Sequence, residues 1–187
     1  MLSTNSTFKI SAAHLSLSDL HRLFHASHDV ELSEEARQKV DYCRNYLDQK
    51  IEREENPVYG INTGFGSLCN VAIEGKDLKR LQLNLVRSHA CGSGDRITPV
   101  YVKLMLLLKA RGLSYGHSGV SPSTIEQLLF FYNNEIIPEV FEQGSLGASG
   151  DLAPLAHLSL ALMGEGRVHY QGEYRDSAEV LARFERP

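Results

Sequence analysis

Apolar residues recur at steps of three and four along most of this chain, a spacing that predicts helices. Ser18 and Asp19 lead into a segment in which Leu20, Leu23 and Phe24 share a face. Ser33, followed by Glu34 and Glu35, opens a longer amphipathic helix that runs to about Glu55 and is ended by Pro57. Asp77 begins a third, with Leu78, Leu81, Leu85 and His89 on one stripe and Cys91-Gly92-Ser93-Gly94 as its stop. His89 is therefore expected to continue a buried stripe. Thr98 with Pro99 starts a helix that is apolar nearly all round through Leu108, which predicts a central place in the fold. Ser121 and Pro122 repeat that start signal for a helix through Tyr132, and Asp151 starts another carrying Leu152, Leu155, Leu158, Leu160 and Leu162.

Strand signals are few. The clearest is Arg167 to Tyr174, where Gln171-Gly172 can turn a short hairpin near 168–174, before a last helix of about ten residues. The expected fold class is mainly α, with little β beyond that hairpin. A chain of 187 residues, 42% hydrophobic and 22% charged, can bury roughly 70% of its unfolded surface as one domain.

Charge narrows the partners. The net charge of -4 is spread among mixed signs, with no basic stripe of the kind that tracks a phosphate backbone, so nucleic acid is not an expected partner. The most apolar run, Val100 to Leu108, is too short to span a bilayer and carries Lys103, so no membrane association is expected. Met1 to Ile10 lacks the charged head, apolar stretch and small-residue cleavage site of a secretory signal, which points to a cytoplasmic protein. Cys43, Cys69 and Cys91 form no Cys-x-x-Cys pair and are expected to be reduced, small and buried. His21, His25 and His28 can share one helix face, with His14 nearby, but no carboxylate or cysteine completes a metal site. They are expected to be exposed and without metal.

The segment Gly144-Ser-Leu-Gly-Ala-Ser-Gly-Asp151 invites chemistry. As a linker it is a flexible glycine-serine turn, and then the chain is a non-catalytic helical module. As a phosphate cradle it lacks the lysine that follows the glycines, and as a nucleophile elbow it lacks the Gly-x-Ser-x-Gly spacing. A third reading is self-processing. If the Gly150 nitrogen attacks the Ala148 carbonyl, a five-membered ring closes, and two dehydrations, one of them at the Ser149 hydroxyl, give a methylidene-imidazolone. Gly150 suits the attack because a Cβ would block it, and the strain, roughly 1 to 3 kcal/mol for each unusual conformation, must be held by surrounding packing. A helix starting at Asp151 would aim its positive end at that ring.

Three blocks carry a family resemblance: Tyr59-Gly-Ile-Asn-Thr-Gly-Phe-Gly66, Leu83-Asn-Leu-Val-Arg-Ser-His89, and Gly144 through His157. With them the chain resembles the aromatic amino acid ammonia-lyases and aminomutases, and among these the histidine-specific members. The resemblance implies that residues 1–187 are the N-terminal part of such a protein, in the L-aspartase-like helical fold, with the central and C-terminal helical bundle beyond. It implies a methylidene-imidazolone formed from Ala148, Ser149 and Gly150, Tyr59 on a mobile loop as catalytic base, and Asn62, Gly66, Ser88 and His89 at the substrate, with no metal. In the family, Phe-Leu at the positions of Ser88-His89 accompanies phenylalanine, His-Leu tyrosine and Ser-His histidine. The implied reaction is loss of ammonia from L-histidine to give trans-urocanate. A tyrosine ammonia-lyase or an aminomutase is the alternative within the family. His117 and His157 match positions that support the ring. A homotetramer is implied too, each active site drawing on more than one subunit, so that residues 1–187 alone are expected to be inactive.

From the residues alone, a tyrosine among glycines is a packed loop anchor, and a lone histidine on an apolar helix face is a core residue bonded to a carbonyl. The chemistry supplies the contrary argument. A weakly acidic β-proton needs a base in the same pocket as the electrophile, and a polar contact to an imidazole discriminates against apolar analogues.

Overall fold

A computed structural model describes residues 7–25, 28–53, 58–63, 77–145 and 152–186. Its first half runs β1 (Thr7–Ile10), α1 (Leu17–His25), β2 (Asp29–Leu32), α2 (Glu34–Arg53), α3 (Leu78–His89), β3 (Ser93–Arg96) and α4 (Pro99–Leu113). There follow α5 (Pro122–Asn133), β4 (Ile137–Pro138), β5 (Phe141–Gln143), α6 (Leu152–Leu162), β6 (Arg167–Tyr170), β7 (Glu173–Asp176) and α7 (Ser177–Ala182).

The core is built around α4 and α5. Val102, Leu106, Leu107 and Ala110 of α4 pack with Ile125, Leu128, Phe131 and Tyr132 of α5, and Leu158, Val168, Val180 and Leu181 join them from the C-terminal elements. Proline in the first turn of both helices presets the backbone and sacrifices no helical hydrogen bond. Although α4 is apolar nearly all round, only one face is covered: Tyr101 is 64% exposed and Leu108 45%. Central position does not here mean burial on every side.

Caps decide where helices begin. Ser33 caps α2 as its sequence implies, its Oγ accepting from the Ala36 amide at 3.2 Å. In α1 the cap is Ser16 rather than Ser18: Ser16 Oγ accepts from the Asp19 amide, and the Asp19 carboxylate accepts from the Ser16 amide, both at 3.1 Å. That is a reciprocal capping box, and it displaces the start by two residues. At the other end of the chain α7 has only six residues, shorter than expected.

The hairpin is present as β6 and β7, turned through Gln171 and Gly172 at positive φ and widened by β4 to the order β4-β6-β7. Two further ladders had no clear sequence signal. β1 pairs with β2 in parallel, and β3 with β5 antiparallel. The Asn133 side chain extends the first of these, taking the Val30 amide at 2.9 Å and giving to the Val30 carbonyl at 3.0 Å. Its amide thus does the work of a strand residue at the end of α5.

Candidate active site

Residues 58–63 form a turn locked from within. The Val58 amide donates to Asn62 Oδ1 at 2.6 Å and the Gly60 amide to Thr63 Oγ1 at 3.2 Å. Asn62 and Thr63 are buried, whereas Tyr59 at the tip is 63% exposed. Two buried polar side chains therefore satisfy the turn's backbone and turn the phenol outward. Asn62, expected at the substrate from the family resemblance alone, spends its carbonyl oxygen on shaping this turn. Gln82 of α3 then docks it, donating from Nε2 to the carbonyls of Ile61 at 3.0 Å and Gly60 at 3.4 Å.

Gln82 and His89 are seven residues apart, so they share a face of α3 about 10 Å apart along its axis. At the end of that helix Ser88 and His89 converge on one carbonyl. Ser88 Oγ donates to Leu85 O at 3.0 Å, and His89 Nδ1 lies 2.7 Å from the same oxygen and 3.1 Å from Ser88 Oγ. A carbonyl only accepts, so the ring proton belongs on Nδ1 and the lone pair of the neutral ring on Nε2. The stripe to which His89 belongs is half-buried: no residue of α3 is fully buried. Leu78, Leu81 and Leu85 are half-buried, α3 packs against α6, and Lys79, Arg80 and Arg87 are exposed.

Beyond α3 the chain crosses to the flanks of the Ala-Ser-Gly segment. Ser93 of β3 pairs with Gln143 of β5, and Arg96 with Phe141. Arg96 Nε reaches Glu139 at 2.5 Å. The Gly92 amide donates to His157 Nε2 on α6 at 2.9 Å, and the His157 ring meets the Phe141 ring edge-on, with centroids 5.2 Å apart. Gly144, at φ +142°, lies so close to Gly92 that a Cβ on it would stand 2.8 Å from Gly92 Cα and 3.1 Å from Ala153 Cβ. A guanidinium fork from Arg87 to Glu165 joins α3 to the turn after α6. The residues just before and just after 146–151 are thus both fastened to the end of the helix that carries Ser88 and His89.

Burial of His157 lowers its pKa below the ordinary imidazole value, against a smaller opposite pull from Glu139. The neutral ring is favoured, as its role of acceptor from Gly92 requires. Gly64, Gly66, Ala148, Ser149, Gly150 and Asp151 lie outside the described residues, as do Pro57 and Cys69. By composition, Ala148-Ser149-Gly150 supplies each group that a methylidene-imidazolone needs: a carbonyl and a glycine amide for ring closure, and a β-hydroxyl to leave as water.

The family model for aromatic amino acid lyases matches residues 15–186. The chain belongs to that family. It is 42% identical over 180 residues to a histidine ammonia-lyase of Staphylococcus saprophyticus subsp. saprophyticus, covering 96% of this chain and 36% of that protein. Among solved structures it is similar to the histidine ammonia-lyase of Trypanosoma cruzi, with a TM-score of 0.85 and 33% identity over 97% of this chain and 35% of the other. A tyrosine aminomutase of Streptomyces globisporus superposes with a TM-score of 0.88 and 30% identity, over 96% of this chain and 34% of that one. The chain spans about a third of the length of the relatives it matches.

Three groups fasten the site: Gln82 under the Tyr59 turn, which has no sequence pattern of its own, His157 on Gly92, which the family resemblance singled out without its partner, and the Arg87–Glu165 pair, which has no pattern either. The last two join residues 65 and 78 positions apart, beyond the reach of periodicity. His117 is exposed on the loop after α4. His14, His21 and His25 are exposed and His28 half-buried, with His21 and His25 in ring contact at 4.4 Å. Among the described residues no group of three or more His, Cys, Asp or Glu could hold a metal ion, and no helix is long and apolar enough to cross a membrane. Cys43 is half-buried and Cys91 exposed, both as free thiols, so the expectation of buried cysteines fails for these two. Cys91 follows the end of α3, where the chain leaves the packed face.

Proposed function

We propose that residues 1–187 are the N-terminal part of a histidine ammonia-lyase, which eliminates ammonia from L-histidine to give trans-urocanate. The observation that carries the reading is the fastening of one helix, α3, to both the Tyr59 turn and the flanks of the Ala-Ser-Gly segment, with Ser88-His89 between them. A methylidene-imidazolone formed from Ala148, Ser149 and Gly150 supplies an electrophilic carbon there. Tyr59 removes the β-proton, and the carbon–nitrogen bond breaks as the double bond forms. His89, with its proton held on Nδ1 by Leu85, presents the Nε2 lone pair to the N–H of the substrate imidazole. Asn62, Gly66 and Ser88 complete the substrate-binding set, Asn62 from the Tyr59 turn that it shapes and Ser88 from the carbonyl that it shares with His89. The remaining substrate contacts, the helical bundle and the other subunits of a cytoplasmic homotetramer belong to the remaining length, and the segment alone is inactive.

The likeness to an aminomutase supports a second reading, in which the same site returns the amine to the β-carbon. Incubating the full-length protein with L-histidine, L-phenylalanine and L-tyrosine separates the two. Ultraviolet absorbance of urocanate from histidine is the expected result. Turnover of tyrosine alone contradicts the first reading, and a β-amino acid product establishes the second.

A further inference from the structure

We propose that His157 is a positioning residue that sets the substrate-selecting end of α3 against the flanks of the Ala-Ser-Gly segment, through its hydrogen bond to the Gly92 amide. The inference rests on the proposed function.

The geometry leaves little freedom at this contact. Gly92 stands three residues after His89, just past the end of α3, and its amide is the donor that fastens that end to α6 at 2.9 Å. A Cβ on Gly92 would lie 2.9 Å from His157 Nε2 and 3.1 Å from the Gln143 carbonyl, so a side chain there would push His157 and the Gln143 backbone aside. The Phe141 ring packed against His157 fixes the rotation of the imidazole, and Phe141 is itself paired with Arg96 of β3. His157 lies five residues into α6, the helix that follows the segment, and Phe141 lies in β5, the strand that precedes it. One imidazole therefore touches the strand before the segment, the helix after it and the turn that ends the selecting helix. Among the described residues its hydrogen-bond and ring partners are Gly92 and Phe141, so it acts through Gly92.

The test uses the full-length protein and the variants His157→Phe, which keeps a ring and removes the acceptor, and His157→Gln, which returns an acceptor. Losing one hydrogen bond that orients the α3 end is expected to raise KM for L-histidine about tenfold, with kcat within about threefold of the parent. The Gly92 amide is expected to exchange hydrogen about tenfold faster in His157→Phe and to regain protection in His157→Gln, with KM restored in parallel. The mass deficit of two waters is retained in both. Should phenylalanine not fit, His157→Leu carries the same expectation. An unchanged KM in the acceptor-less variant, a loss in kcat alone, or no rescue by glutamine overturns the inference. A parent protein without the mass deficit overturns the proposed function instead, while Gly92 exchange still judges the role of His157.

Discussion

His89 combines two properties that the sequence offered as rivals. It is half-buried and bonded to the Leu85 carbonyl, as a packed helix histidine would be, and that same bond sets the tautomer suited to reading an imidazole. Replacing it with leucine in the full-length protein is expected to lower kcat/KM for L-histidine by about 10- to 100-fold, the cost of leaving a buried polar group unpaired, and to spare L-phenylalanine. Steady-state kinetics on the two substrates checks this. Gly144 is the second residue whose identity is dictated, because at φ +142° a side chain would be driven into Gly92. Gly144→Ala is expected to cost about 1 to 3 kcal/mol, read from denaturant unfolding. The glycine-rich string announced that something unusual happens near 144–150, but which glycine serves a close approach depends on a neighbour some fifty residues back.

Among the elements, the helices were legible and the strands mostly were not. Helices α2, α4, α5 and α6 begin within a residue of their serine, threonine, aspartate or proline signals, since caps and the 3.6-residue period are local properties. The hairpin was legible for the same reason, as its turn is a Gln-Gly dipeptide flanked by short alternation. Ser93–Arg96 is exposed throughout and polar, and becomes a strand only because Phe141–Gln143 lies beside it. Thr7–Ile10 and Asp29–Leu32 are four residues each, too short for alternation to register. Their sheet is completed by Asn133 of α5, so Asn133→Ala is expected to destabilise the fold by about 1 to 3 kcal/mol by orphaning the Val30 amide and carbonyl. The midpoint of urea unfolding measures it, with Asn134→Ala as a neighbouring control.

For the molecule as a whole, this chain of the aromatic amino acid lyase family is a frame whose parts meet at Gly92. That gives its stability a pH dependence of known sign. The folded state holds His157 with a pKa below the ordinary value near 6.5, so the contribution is full above about pH 6.5 and is lost as pH falls through the lower folded value. Glu139, which favours the protonated ring, limits the shift, and Arg96 on Glu139 weakens that pull. Melting temperatures below about pH 6.5 are expected to fall faster in the parent than in His157→Gln. The central claim is chemical, that Ala148, Ser149 and Gly150 are the precursor of an electrophile. The most direct test is the intact mass of the full-length protein beside its Ser149→Ala variant. A parent lighter than its sequence by two water molecules, with no such loss in the variant, is the expected result; a parent at full sequence mass would contradict it.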